Sequence, residues 1–264
     1  MKNLQLLGRC FFGIGVAGIG LQQFMYSEFR PVLLSYWPAS MPGVAVWAYV
    51  TGTALVVAGA LIIVGKKARI VSVALGILFF LLFLFFHVYT QVFLNTNNFQ
   101  LGSWTDPLKE LALSGGAFII AASFIEDERF ASNKMLLVLG RIFFATMLIA
   151  FGIDHFLYAE FVAMLVPAWI PGHMFWTYFS AVALIGSGIC ILFKIKVQLV
   201  SMLLGLMLFL WLVLLHIPRA ITDPYGAKAN EVTSVFEALA FSGIAFAVAC
   251  IYQDKIIVER VAIQ

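Results

Sequence analysis

The chain has 264 residues, 63% of them hydrophobic and only 11% charged, with a net charge of +3 and a mean hydropathy of +1.02. That composition lies outside the range of water-soluble domains and requires a bilayer as solvent. The small positive balance reflects where basic residues fall along a membrane protein, and points to no nucleic-acid partner.

A bilayer core takes roughly 20 apolar residues per helix. Eight runs of that order occur, near 8–26, 44–64, 70–92, 107–125, 136–158, 174–193, 197–217 and 232–251. They are too long and too uniformly apolar to be barrel strands, so the expected fold class is an all-α membrane protein with eight transmembrane helices. The first run has a mid-chain counterpart and no small-residue cleavage site after Tyr26, so it is expected to be a retained span and not a cleaved signal. It ends in FMYSEF (24–29), and PASMPG (38–43) leads into the second. The third run ends FLFFH at His87, and the fourth reads KELALSGGAFIIA from Lys109. A charged joint, Glu126 to Arg129, precedes the fifth run, which ends with Asp154-His155 and FLYAEF (156–161). VPAWIPG leads to His173 at the start of the sixth run, the seventh ends LVLLH at His216, and the eighth contains Glu237 and LAFSG (239–243).

The second half repeats the first. An offset of 132 superposes Gly8-Arg9 on Gly140-Arg141 and FMYSEF on FLYAEF. An offset of 129 aligns PASMPG with PAWIPG, Trp47 with Trp176 and His87 with His216, and one of 128 brings LALSG (111–115) onto LAFSG. Two tandem four-helix units are therefore expected, at 1–128 and 129–264, as pseudo-symmetric four-helix bundles packed into one body. An even number of spans gives both units the same direction through the membrane, a parallel repeat unlike the inverted repeats of many transporters.

Basic residues mark the sidedness, because cytoplasmic loops are enriched in Lys and Arg. Lys2, Arg9, Lys66, Lys67, Arg69, Arg129, Lys134, Arg141, Lys194, Lys196, Lys255 and Arg260 collect on one side, and Arg30, Lys109, Arg219 and Lys228 on the other. The expected location is the inner (cytoplasmic) membrane with both termini cytoplasmic. Cys10, Cys190 and Cys250 then lie near the cytoplasmic ends of their helices, where no disulfide is expected.

The Arg opening each unit, the helices ending FLFFH and LVLLH, and KELALSGGAFIIA together resemble the DoxX-like family of small four-helix membrane proteins, here duplicated within one chain. The resemblance covers nearly all of each half. It implies redox company: relatives serve as membrane subunits of quinone-reducing sulfur oxidoreductases or as membrane partners of detoxifying enzymes. Where the family carries a Glu early in the second helix and a Lys late in the first, this chain has Tyr49 and Tyr178, and Leu21 and Ile153.

Ionisable residues at membrane depth are candidate site residues. His87 and His216, at equivalent positions and expected near the last turns of their helices, suit either the two axial ligands of a haem b or hydrogen-bond partners of a quinone head group. A histidine that caps loose helix carbonyls is the simpler alternative. Asp154, His155, Glu237 and Arg219 gather towards the outer side of the second half, with Arg219 or His155 the expected partner of Asp154 and Glu237. A metal site from His155, His173, His216 and a carboxylate lacks compact ligand spacing. All six Trp map to the outer half, where an aromatic layer would roof a pocket for a flat or lipidic molecule or merely plug the bundle. The functions in view are an accessory or redox-linked membrane subunit that binds a quinone or other lipophilic molecule, a membrane scaffold or assembly factor, and a small-solute carrier. The partners in view are the bilayer and a redox enzyme or other membrane subunits. No Walker loop or nucleophile elbow is present.

Overall fold

The computed structural model describes residues 2–34, 37, 42–95, 100–124 and 131–261. The charged joint at Glu126 to Arg129, the boundary between the expected units and most of PASMPG lie outside the described residues. Within them the chain is helical: α1 (Lys2–Tyr26), α2 (Val44–Val64), α3 (Ala68–Leu82), α4 (Thr105–Ala122), α5 (Ala131–Leu157), α6 (Ala159–Leu165), α7 (His173–Phe193), α8 (Val197–Trp211), α9 (Ile217–Thr222) and α10 (Gly226–Val261). Seven helices are long and apolar enough to cross a membrane, which makes this an all-α multi-pass membrane protein. The eighth expected segment is α4. It is helical for 18 residues but carries Asp106, Lys109 and Glu110, and it is not among the seven.

The helices close into a ring. α2 lies against α1 and α3, α3 against α4, α4 against α5, α5 against α7, α7 against α8, α8 against α10, and α10 against α1. α4 and α10 also touch each other across the ring. This placement explains the burial pattern. Every residue from Pro107 to Ala122 is buried, and 72% of the apolar span of α10 is buried, against 28% for α2 and 22% for the span built on α8. The outer helices turn Leu, Ile, Val and Phe side chains outward, such as Val64, Ile70, Val182 and Phe193. In lipid that exposure carries no penalty.

Helix pairs approach closely through glycine. A Cβ on Gly243 would lie 2.6 Å from the Gly8 carbonyl oxygen and 2.7 Å from the Phe12 nitrogen, and one on Gly115 would lie 2.7 Å from the Gly140 oxygen. Backbone occupies those places, so no rotamer change relieves the clash. The α1–α10 and α4–α5 crossings thus depend on small residues, the usual means of tight association in membranes. Ser114 and Ser242 tie in the neighbouring helices, donating at 2.8 Å to the carbonyls of Gly76 and Gly205.

Both histidine-bearing helices depart from α geometry. α3 passes into π-helical stretches at Phe83–Val88 and Thr90–Leu94, and α8 into one at Leu212–His216 that runs on as α9. The expectation that His87 and His216 sit near the last turns is corrected here: each helix continues for about one to two turns beyond its histidine. Capping of loose terminal carbonyls is thereby removed as an explanation for either residue. π-bulges are rare, and they occur frequently at functional sites.

Gly243→Leu is expected to destabilise the protein by about 1–3 kcal/mol through overpacking against backbone, seen as a fall of several degrees in the Tm of detergent-purified protein. Gly186→Ala, where a Cβ meets nothing within 4 Å, should leave the Tm unchanged or raise it.

Candidate functional site

Apart from Arg141, which donates to Tyr252 at the other end, the buried ionisable side chains among the described residues gather where α1, α3 and α8 finish and α4 and α10 begin. At the centre is α4. Lys109 Nζ lies 3.0 Å from Glu237 Oε2 on α10 and 3.3 Å from Asp106 Oδ1 one turn earlier on α4. The ammonium and the Glu237 carboxylate are almost wholly enclosed, with side-chain exposures of 10% and 3%, while Asp106 at 29% reaches the rim. Two buried charges at this separation in a poorly polarisable interior are tightly coupled, and neither can be removed alone without stranding the other.

Next to Lys109, Glu110 faces His87. Its Oε2 lies 3.3 Å from His87 Nε2, and neither side chain has any exposed surface. The same Nε2 lies 3.1 Å from the Val32 carbonyl oxygen. A carbonyl only accepts, so Nε2 carries a hydrogen and donates it to Val32. The π-helical turn delivers the ring to this position, between the loop after α1 and the face of α4. Neither Glu110 oxygen has a hydrogen-bond partner among the described residues.

His216 sits in different surroundings. Lys109, Glu231 and Arg219 are the charges that act on it, and its Nδ1 is enclosed without a hydrogen-bond partner among the described residues. Arg219 holds Glu231 in a two-pronged contact, Nε to Oε2 at 2.8 Å together with Nη2 to Oε1, and also donates to the Leu165 carbonyl at 3.4 Å. This fork-on-carboxylate geometry fixes the start of α10 to α9. Glu237 Oε1 is likewise buried without a hydrogen-bond partner.

Of the residues singled out from sequence, Glu237, His216 and Arg219 thus join one network, with Lys109 as the common neighbour of the first two. His87 adjoins it through α4. Asp154 and His155 do not enter it. His155 Nδ1 bonds the Phe151 carbonyl of its own helix at 2.7 Å, and Asp154 Oδ1 is buried without a hydrogen-bond partner among the described residues. The expected pairing of Asp154 with Arg219 or His155 is not formed, because each of those is engaged elsewhere. At the corresponding place in α1, Gln22 and Gln23 accept from Thr233 at 2.7 Å and from Thr51 at 2.9 Å. Sequence reading missed Glu110 and counted Lys109 only among the basic residues that mark sidedness. The available signal was two adjacent ionisable residues inside a run otherwise apolar enough to be enclosed.

Arg30, in the loop after α1, closes this end from above. It is 1% exposed, donates to the Lys228 carbonyl at 2.8 Å and lies 4.3 Å over the Tyr26 ring. Burial pulls its pKa below the usual arginine value, while Tyr26 and Glu28 oppose that pull. The Lys228 carbonyl is presented by a left-handed turn at Ala227, Lys228 and Ala229.

An axial haem ligand coordinates through an unprotonated imidazole nitrogen, and His87 Nε2 is directed at the Val32 carbonyl and Glu110. Among the described residues no three His, Cys, Asp or Glu side chains come together to hold a metal ion. A quinone-like head, with oxygens that accept or, when reduced, donate hydrogen bonds, fits the unpartnered His216 Nδ1 and Glu237 Oε1. On the side of α5 and α7 an open groove of about 490 Å³ is lined by Phe156, Phe161, Met174 and Tyr178, with Phe156 stacked on Tyr178 at 5.7 Å. Comparison with known protein families, characterised proteins and solved structures finds no match.

Lys109→Met should cost about 3–5 kcal/mol, the penalty of stranding the buried Glu237, measured by denaturation in detergent. The double variant Lys109→Met/Glu237→Met should recover most of that loss; if both variants are equally unstable, the pair is not the coupled unit described.

Proposed function

We propose that this protein is a DoxX-like, redox-linked or accessory membrane subunit that binds a quinone or a similar lipophilic molecule at the polar end of its bundle. One observation carries the reading: in helices otherwise nearly free of ionisable groups, buried polar atoms without a protein partner, His216 Nδ1 and Glu237 Oε1, share the neighbour Lys109. Buried polar atoms without partners are costly, and a site that holds a ligand head is one reason a sequence keeps them. His216 would hydrogen-bond a head-group oxygen, Glu237 would accept from a hydroxyl, and Lys109 would hold Glu237 in place. The group when bound supplies the electron chemistry. The chain supplies binding, orientation and exclusion of water.

The tandem organisation belongs to the same proposal. Eight spans arise if α4 crosses the membrane with the others, shielded by its neighbours from lipid. Matching contacts support two related units: Ser114 to Gly76 and Ser242 to Gly205, Gly115 beside Gly140 and Gly243 beside Gly8, π-helical turns at His87 and His216, and Arg9 over Phe124 as Arg141 over Tyr252. With the basic residues cytoplasmic, the polar end faces outward. A scaffold or assembly role is the second reading, favoured by the open aromatic groove on α5 and α7, which leaves large apolar side chains available to a membrane partner.

Solvent extraction of purified protein followed by mass spectrometry should recover a quinone or related lipid, and a short-chain benzoquinone should bind with an affinity roughly tenfold lower in His216→Ala, the cost of one buried hydrogen bond. Empty extracts from folded protein, together with no benzoquinone binding, would leave the scaffold reading. Cysteine at Glu160 should react with an impermeant maleimide in intact cells and cysteine at Lys66 only after permeabilisation; the reverse pattern overturns the orientation.

A further inference from the structure

The His87 and Glu110 pair is used neither by the binding reading above nor by any structural need of the helices that carry it. We propose that it is a buried proton site, in which imidazole and carboxyl together hold one exchangeable proton that passes to water at the Asp106 rim.

The inference follows from counting charges among enclosed groups. Lys109 is matched by Glu237 at 3.0 Å and also meets Asp106, so its charge is committed. Among the described residues Glu110 then has only His87 to balance it, at 3.3 Å, both with no exposed surface. An ionised Glu110 beside a neutral imidazole would leave a bare carboxylate in a dry interior. Carboxylate with imidazolium, or carboxylic acid with imidazole, avoids this, and both arrangements contain the same single proton. The Val32 carbonyl accepts the hydrogen on Nε2 in either case, so the exchangeable proton is on Nδ1 in the first arrangement and on a Glu110 oxygen in the second. The Glu110 oxygens, buried and without hydrogen-bond partners among the described residues, are able to carry it.

The remaining charges near the pair do not remove the requirement. From α4, Asp106 adds negative charge that acts on both His87 and Glu110, which strengthens the need for the proton. From α10, Glu237 is bound to Lys109 and Glu231 to Arg219. From the loop after α1, Arg30 is turned to Tyr26 and the Lys228 carbonyl, and Glu28 is exposed. On α5, His155 is bound to its own helix and Asp154 has no charged partner. His216 lies among Lys109, Glu231 and Arg219.

The site opens on one face. Asp106 leads to the rim, whereas from Leu111 to Ala122 α4 is buried and apolar apart from Ser114, whose hydroxyl is given to Gly76. When the proton leaves, the pair goes from neutral to one negative charge and water takes the proton; nothing is oxidised or reduced. The exchange is a local acid–base step and not conduction across the membrane.

The test uses full-length protein in lipid nanodiscs without added ligand, by nitrogen-labelled histidine NMR and infrared difference spectroscopy between neutral and alkaline pH. The wild type should show at neutral pH either a His87 imidazolium or a protonated carboxyl, lost on alkalinisation. Glu110→Gln should leave His87 neutral and release one proton fewer per chain in a pH jump. Asp106→Asn should slow the exchange without changing the number of protons. Neutral His87 together with ionised Glu110 in the wild type at neutral pH overturns the proposal, and so does a pair whose spectrum follows sodium concentration and not pH. The wild-type spectra decide the matter even if Glu110→Gln does not fold. They decide it whether or not a quinone is bound, because no ligand enters the measurement.

Discussion

The contact between Lys109 and Glu237 fixes the middle of this molecule. It joins the two most enclosed helices, α4 and α10, at the place where they meet across the ring. Removing both charges from water costs several kcal/mol each, which their attraction repays only when geometry is close and further partners are present. Asp106 supplies such a partner on one side. A buried pair of this kind adds little to net stability over a well-packed apolar pair, yet strongly disfavours any register in which the charges do not meet. It therefore selects one sliding position of α4 against α10.

The glycine crossings depend on that register. Gly243 meets Gly8 and Gly115 meets Gly140 at distances that only backbone without Cβ permits. Small residues provide tight packing but tolerate little displacement, since a shift of one residue would bring Leu7 or Arg9, Leu139 or Arg141, or Ile244 to a crossing. The polar contact chooses the register and the glycines then hold it. The π-helical turns belong to the same arrangement. An extra residue in the turn rotates the following side chains, which sets His87 between Val32 and Glu110 while α3 keeps its packing on α4.

How much of this could be read from the sequence depends on the kind of signal. Helical spans were legible because apolar run length is a one-dimensional property matched to bilayer thickness. His216, Glu237 and Arg219 were legible as a group because ionisable residues are rare enough in such helices to stand out. The role of Lys109 was hidden: as a basic residue near a helix start it looks like an interfacial anchor, and only the central position of α4 encloses it. Glu110 was hidden for the same reason. The π-helical turns leave no compositional trace, so His87 and His216 looked like terminal residues. Asp154 and His155 failed in the opposite sense. They looked like a pair because they are adjacent, but successive residues on a helix point about 100° apart, and each took its own environment.

The register that pairs Lys109 with Glu237 was nonetheless present in the chain. The offset of 128 that aligns LALSG with LAFSG also aligns Lys109 with Glu237. Residues equivalent under a pseudo-two-fold axis face one another when they lie near it, and identical charges there would repel. Opposite charges turn that repulsion into attachment. The same offset sets Glu110 against Ala238, which has no carboxylate to offer. If the halves derive from one unit, they have separated into two chemistries at one end of the bundle. One histidine is closed in with a carboxyl and keeps a proton; the other retains an unpartnered nitrogen able to meet a ligand. A carrier would need the polar path to continue through the opposite half of α4 and α10. There the buried residues among those described are Leu, Ile, Phe, Val, Ala, Gly and Cys250, with the Ser114 and Ser242 hydroxyls given to backbone carbonyls. Among the described residues, the enclosed ionisable groups of α4 and α10 all lie at the end where Lys109 meets Glu237.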